Sequence, residues 1–212
     1  MAKTEQVMQG RVGNVVFYRV KGRTYIRSVP LKYRDANTAM QRSNRLRLMV
    51  ATRFYQRLQR TFLIDVWRLA AGELAMNGFN LFMKMNLQVF NTRTLFEPLR
   101  LKMSFGVLPR LNHPEAEVRE GNRIRLTWNY WESGEGAHVG DRLCVVALFE
   151  GRMYSPVVLQ GFTARRQDYA TVLDLGAAWR RRAHLYCFFA SPDGGAYSPS
   201  DYLCVTPKAS AA

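Results

Sequence analysis

The chain has few acidic residues, few cysteines and no long apolar run. Its 212 residues include 16 Asp and Glu, 3 Cys and 3 His. No segment reaches the ~18 continuous apolar residues that a membrane-spanning helix needs. The N-terminal residues lack the apolar stretch of a secretory signal. We therefore expect a cytoplasmic protein with no membrane partner, whose thiols at Cys144, Cys187 and Cys204 are reduced and buried.

Residues suited to catalysis or metal binding are scarce and scattered. None of the three histidines, His113, His138 and His184, has a second ligand at metal-binding spacing. His113 precedes a proline in a predicted linker. The glycines between Gly134 and Gly140 follow one predicted strand and lead into another, so no helix N-terminus is available to hold a phosphate there. We predict a non-enzymatic protein with no catalytic residue, no metal site and no cofactor.

What the chain has in quantity is positive charge, concentrated in its first half. Its 31 Lys and Arg give a net charge of +15. Residues 1–100 contain 18 basic and 5 acidic residues, whereas residues 101–212 contain 13 and 11. Five acids cannot neutralise most of the cations in the first half. This asymmetry indicates an anionic partner, either nucleic acid (DNA or RNA) or an acidic protein.

The first segment is predicted to be a β-hairpin. The segments 12–19 and 23–28 are rich in β-branched and aromatic residues, and a Lys-Gly turn signal lies between the two segments. Three aromatic residues, Phe17, Tyr18 and Tyr25, are interspersed among the basic residues of this segment. A basic ribbon with aromatic faces can follow a phosphate backbone. The hairpin residues predicted to contact phosphate are Arg19, Lys21, Arg23 and Arg27.

A long helix is predicted over residues 38–61. A turn and a short second helix follow within 62–74, and a third helix is predicted over 76–90. On a helical wheel, apolar residues of the long helix share one broad arc. They include Val50, Ala51, Phe54, Tyr55 and Leu58. The opposite arc carries arginines, and the residues that we predict to contact phosphate are Arg42, Arg45, Arg53, Arg57 and Arg60. Arginine suits this role because its guanidinium can bind phosphate through two hydrogen bonds.

From about residue 105 the helical periodicity stops and short strands are predicted. The candidate strands are 123–130, 142–149, 153–160, 169–174, 183–190 and 200–206, with a possible extra strand near 101–108. Glycine-rich turn signals separate them. About seven short strands in ~100 residues are typical of an immunoglobulin-like or fibronectin-like sandwich. Trp128 and Tyr186 are its expected inward-facing aromatics.

The predicted fold class is α+β, with an N-terminal β-hairpin plus helices and a C-terminal immunoglobulin-like or fibronectin-like β-sandwich. The predicted domains are a basic hairpin-and-helices module at 1–105 and the sandwich at 106–207, with a tail at 208–212. The sandwich is expected to be a near-neutral interaction or oligomerisation module.

Several short motifs occur along the chain. They are Gly10, Val12-Gly13-Asn14-Val15-Val16, Lys21-Gly22, Tyr25-Ile26-Arg27-Ser28-x-Pro30, Asn37-Thr38-x-x-Gln41-Arg42 with Arg45, Asn77-Gly78-Phe79-Asn80 with Asn86, and Ser104-x-Gly106. In these residues the chain resembles a family of basic proteins of unknown function that is widespread in the Bacteroidota. The resemblance covers nearly the whole chain and implies a cytoplasmic bacterial protein, but it carries no activity or catalytic residue. Among the matching residues, Arg27 and Arg42 are the two whose presence is hardest to explain by a role in folding alone.

Two functions remain open at this point. The first is a binding protein that contacts nucleic-acid phosphates through its N-terminal module with little sequence readout. The second is a structural subunit of an assembly, for example a phage-derived particle, whose basic hairpin makes protein–protein contacts in a homo-oligomer. The two differ in what copurifies with the protein, nucleic acid in the first case and further copies of the chain in the second.

Overall fold

The structure is a computed structural model that describes residues 9–20, 22–30, 32, 35–74, 76–95, 97–129, 136–177 and 179–207. In these residues it has three α-helices and three antiparallel sheets, which confirms the predicted α+β class. The chain separates into two compact units, residues 1–39 and residues 40–212. A domain boundary between residues 105 and 106 stays a prediction.

The first unit contains a three-stranded sheet, which we call the hairpin sheet. Its strands are β1 (Gly10–Val12), β2 (Val15–Val20) and β3 (Arg23–Ser28), in the order β1-β2-β3. The predicted hairpin corresponds to β2 and β3. Gly22 between them has a φ of 81°, a left-handed conformation that glycine adopts without steric cost. Sequence reasoning missed β1, which pairs with β2.

The helices of the second unit are α1 (Ala39–Leu58), α2 (Leu63–Glu73) and α3 (Gly78–Asn86), and a 3₁₀ turn at Leu87–Val89 follows. The predicted apolar arc of α1 is confirmed. Its buried residues are Val50, Ala51, Phe54, Tyr55 and Leu58. All of them lie in the second half of the helix. Among the described side chains of residues 9–49 none is buried, so Val50 is the first core residue along the described chain.

Seven strands form the two remaining sheets. They are β4 (Asn112–Val118), β5 (Arg123–Asn129), β6 (Arg142–Phe149), β7 (Val157–Val158), β8 (Ala170–Asp174), β9 (Ala183–Ala190) and β10 (Asp201–Val205). One sheet has the order β10-β9-β6-β7 and the other β4-β5-β8. The predicted strands at 142–149 and 183–190 match β6 and β9, both of which are long apolar runs.

The predicted extra strand near 101–108 was wrong, and a strand at 112–118 was missed. The apolar residues Leu101, Met103 and Leu108 are buried without forming a strand. The missed strand, β4, contains Pro114 and has a register shift between Asn112 and Glu115. Proline is tolerated in a sheet at an edge strand or a bulge, and β4 supplies both. The proline therefore does not mark a linker.

Strands β6 and β9 are buried on both faces. One face contributes Val145 and Phe189 to a cluster that also contains Ile124 and Leu173 of the β4-β5-β8 sheet. The other face packs against the helices, since Tyr186 lies in the same cluster as their buried side chains. The prediction for Trp128 is confirmed, because its side chain lies between the two sheets. Tyr186 is buried on the helix side, where its hydroxyl donates to the Pro98 carbonyl at 2.8 Å.

Four residues of the later motifs have structural roles. Asn77 caps α3, because its side-chain oxygen accepts from the Asn80 backbone N–H at 2.7 Å. The buried Asn86 amide bonds both the backbone N–H and the carbonyl of residue 102. Ser104 donates to the Ser198 carbonyl at 2.7 Å. A Cβ on Gly106 would overlap the Tyr197 carbonyl oxygen. These motif residues need no ligand to explain them.

The three thiols differ in exposure, and all three are free. Cys187 is buried, Cys144 is half-buried and Cys204 is exposed. The expectation that all three are buried is therefore confirmed for Cys187, holds only in part for Cys144 and was wrong for Cys204. This residue lies on β10, an edge strand, whereas Cys187 lies on the central strand β9.

Candidate nucleic-acid interface

The register of the hairpin sheet assigns its side chains to two faces. Arg11 pairs with Val16, Val16 pairs with Arg27, and Tyr18 pairs with Tyr25. Side chains alternate between faces along each strand, so these residues share one face. Arg23, two residues before Tyr25, lies on it as well. We call this the basic face, and its residues are Arg11, Val16, Tyr18, Arg23, Tyr25 and Arg27.

The centre of the basic face is a pair of exposed tyrosines. The rings of Tyr18 and Tyr25 stack at 5.7 Å between centroids with an interplanar angle of 22°. The two residues are 38% and 43% exposed. The guanidinium carbon of Arg27 lies 6.0 Å from the centroid of Tyr18, at the outer limit of a cation–π contact. The face thus combines open aromatic surface with fixed positive charge.

Few acidic residues lie near this charge in the sequence. Residues 9–39 contain seven Lys and Arg and a single acid, Asp35. Asp35 accepts a hydrogen bond from the Asn37 backbone N–H at 3.1 Å. Within the described part of the chain, Arg23 and Arg27 form no ion pair. Their guanidinium groups remain available to an external anion.

The opposite side of the hairpin sheet, which we call the apolar face, carries Val12, Val15, Phe17 and Ile26. Val12 is 60% and Ile26 is 66% exposed. Arg19 pairs with Thr24 and lies on this face, away from Arg23 and Arg27. The predicted hairpin cations are therefore not gathered on one surface. Lys21, also a predicted contact, lies outside the described residues.

The predicted arginines of the long helix are all exposed. Arg42, Arg45, Arg53 and Arg57 lie on α1, and Arg60 lies in the turn after it. Arg45 and Arg53 border a shallow cavity of about 390 Å³, together with Leu48 and Met49. Leu48 is 44% and Met49 is 40% exposed. The exposed side of α1 is thus basic and partly apolar.

Sequence reasoning missed a cationic cleft in the second unit. Its cavity of about 460 Å³ is lined by Lys84, Arg100, Lys102 and Arg110. Arg110 lies 3.7 Å from Asp201, whose pKa is raised by burial in spite of that neighbour. The four cations come from α3, a 3₁₀ turn and two loops. No local pattern could have grouped them, because only tertiary packing brings them together.

A smaller cavity lies at one end of the two facing sheets. It measures about 190 Å³, and its lining includes Trp128, Arg166 and Tyr169. The Arg166 guanidinium donates to the Pro109 carbonyl at 3.0 Å, and the Trp128 indole N–H donates to the Arg166 carbonyl at 2.9 Å. The second bond fastens the 3₁₀ turn at Arg166–Asp168 to the end of β5, and the first fastens it to the loop before β4. We interpret the polar groups of this cavity as structural.

The described residues lack two further kinds of site. No group of three His, Cys, Asp or Glu side chains there is placed to hold a metal ion. No described helix combines the length and the apolar character needed to cross a membrane.

Comparison with known proteins gives one family. Residues 7–204 match the family described as "Family of unknown function (DUF6266)". No curated protein and no solved structure matches the chain. The match supports the resemblance to a family of unknown function. The distribution of that family in the Bacteroidota, and its basic character, stay predictions.

Proposed function

Given that the chain belongs to DUF6266, a family of unknown function, we propose from its own surface that it is a non-enzymatic protein that binds nucleic acid. The basic face of the hairpin sheet is the primary contact, and the exposed arginines of α1 are a second one. Binding is dominated by phosphate contacts, with little readout of sequence. We further propose a cytoplasmic location and an immunoglobulin-like arrangement of strands β4 to β10.

One observation carries this proposal. Arg23 and Arg27 lie on the same exposed face as two tyrosines and have no ion-pair partner among the described residues. These guanidinium groups and rings contribute to no core, since none of the described side chains around them is buried. A guanidinium binds phosphate, like carboxylate, through two parallel hydrogen bonds, and a nucleic acid presents phosphates in a regular row.

A salt titration tests the proposal. We expect the protein to bind a fluorescein-labelled 20-nucleotide strand or duplex at 50 mM salt and to lose most of that affinity by 200 mM. Each phosphate contact adds roughly 0.7 to the slope of log K against log salt for a single strand. The double variant R23Q/R27Q should lower that slope by up to about 1.4.

The matched control removes the same charge from the second unit. Arg180 and Arg181 are exposed, and R180Q/R181Q changes the net charge by the same two units. If both double variants lose the same affinity, the binding is non-specific attraction to a cationic protein. If the wild-type protein binds no strand or duplex at 50 mM salt, the proposal is wrong.

A second function, a structural subunit of an assembly, is favoured by a different observation. The apolar face of the hairpin sheet exposes Val12 and Ile26, and the sheet has no described buried residue of its own. A sheet this small normally needs a packing partner. A neighbouring copy of the chain would supply one. Light scattering after size-exclusion chromatography tests this, since a salt-resistant oligomer that V12S/I26S dissociates would favour assembly over nucleic-acid binding.

A further inference from the structure

The tyrosine pair on the basic face is not explained by phosphate binding. The electrostatic part of phosphate binding comes from cations, and Arg11, Arg23 and Arg27 supply them without help from a ring. Tyr18 and Tyr25 nevertheless keep 38% and 43% of their surface open. Their mutual stacking at 5.7 Å holds the two rings nearly parallel at an angle of 22°. They form a stacked pair whose remaining ring surface is open at the centre of a cationic face.

The surroundings of the pair favour one kind of occupant. Arg11 and Arg27 lie in the cross-strand row on one side of the tyrosines, and Arg23 lies towards the β2–β3 turn on the other. Neighbouring rows on one face are about 7 Å apart along a strand. A chain crossing the pair therefore meets positive charge before and after the rings, which suits a polyanion that also carries aromatic groups.

Among nucleic acids, only an unpaired strand can use the rings. In a duplex the bases are stacked inside the helix, and a sheet meets only phosphates and groove edges. The tyrosine rings therefore have no base face to stack on. Unpaired bases can lie on tyrosine rings, and this stacking tolerates any base because every base has a π-face.

We propose that the basic face binds single-stranded nucleic acid, with bases stacked on Tyr18 and Tyr25 and phosphates held by Arg11, Arg23 and Arg27. The inference rests on the proposed function and adds the class of nucleic acid to it. Selectivity for single strands over duplex comes from the rings, and the arginines contribute to both.

The test compares two double variants of the full chain. Y18L/Y25L removes the rings and keeps apolar side chains at a cross-strand pair, whereas Y18F/Y25F keeps the rings and removes only the hydroxyls. Anisotropy is measured with a labelled dT20 strand, an rU20 strand and a 20-base-pair duplex at one salt concentration. We expect the leucine variant to bind the strands at least tenfold more weakly. The phenylalanine variant should bind them like the wild type, and duplex binding should change less than threefold in both variants.

A second measurement keeps the test decisive if the leucine variant misfolds. Photo-cross-linking of the wild-type protein to a 4-thiouridine-substituted strand, followed by peptide mass spectrometry, maps the contact directly. We expect cross-links on the tryptic peptides 12–19 and 24–27, which contain Tyr18 and Tyr25. Cross-links confined to residues 40–212 would overturn the inference.

The outcomes separate the two proposals. Equal affinity for strands and duplex, with the leucine and phenylalanine variants alike, overturns the single-strand inference and leaves phosphate binding in place. Binding to no nucleic acid at low salt overturns both. Both are also overturned if the protein binds only vesicles containing phosphatidylserine or only an acidic protein.

Discussion

Arg166 and Asp141 form a buried ion pair, in which Nε of Arg166 donates a hydrogen bond to Oδ2 of Asp141 at 2.9 Å. The Asp141 side chain is fully buried and that of Arg166 is 11% exposed. The guanidinium carbon also lies 3.9 Å from the centroid of the Phe189 ring. Removing either partner therefore leaves a charge in the protein interior.

We expect R166M to lower the free energy of unfolding by about 3–5 kcal/mol, because it leaves the Asp141 carboxylate buried without its ion-pair partner. The double variant R166M/D141N should cost less than the sum of the two single changes. Urea denaturation measures both. The control is R100M, which breaks the Arg100–Glu97 pair on the surface and should cost about 1 kcal/mol or less. Equal losses in R166M and R100M would contradict the prediction.

A methyl group at Gly106 should be strongly destabilising. The Cβ of G106A would overlap the Tyr197 carbonyl oxygen, which is backbone and accepts a hydrogen bond from the Leu108 N–H at 3.0 Å. Since neither atom can swing away, we expect a loss of about 1–3 kcal/mol or more.

The matched control for G106A is G72A. No atom lies within 4 Å of a Cβ at Gly72, and this residue is in α2. Alanine there should stabilise the protein by about 0.5–1 kcal/mol. Thermal melts of the two variants should therefore shift in opposite directions.

Stability should fall in mild acid because of His184. Burial first and Arg182 second lower the pKa of His184 below its ordinary value of 6.5. As the pH falls below 6.5, the unfolded chain takes up a proton that the folded protein does not, so the free energy of unfolding falls until the folded pKa is passed. Urea midpoints at pH 7.5, 6.5 and 5.5 should decline more steeply for the wild type than for H184N. The same slope in both proteins would show that His184 is not responsible.

The hairpin sheet should open far more readily than the central sheet. Its described side chains are exposed or half-buried, whereas every residue of β9 is buried. Local opening is easiest where few apolar contacts must be broken. In hydrogen-exchange mass spectrometry we expect β2 and β3 to exchange well before β6 and β9, and to slow when a single-stranded oligonucleotide is added. Equal protection of both sheets in the free protein would refute this.

Elements with a strong periodic pattern were predictable from the sequence. The boundaries of β6 and β9 follow their apolar runs, and the buried arc of α1 follows its 3.6-residue period. β4 was not predictable, because Pro114 is read as a break unless the edge position and the bulge are known. The burial of both faces of β9 was not predictable either, because one face is covered by helices that are distant from β9 in the sequence.

The candidate site was predicted in composition but not in arrangement. The charge asymmetry selected Arg19, Arg23 and Arg27 together, yet the register between β2 and β3 separates Arg19 from the other two. In a hairpin the position and length of the turn fix the register, so this separation follows from the Lys21-Gly22 turn signal and not from composition. The same register pairs Tyr18 with Tyr25.

That Val50 is the first buried side chain along the described chain has an evolutionary consequence. From Val50 onwards, a mutation of a buried residue is selected against when it prevents folding. Replacing an exposed, described side chain between residues 9 and 49 removes no buried contact, so its effect on a bound partner weighs more than its effect on the core. Residues 9–49 and the residues from Val50 onwards are therefore under different selective pressures. The surface of the first stretch can change to bind a new partner while the core stays the same.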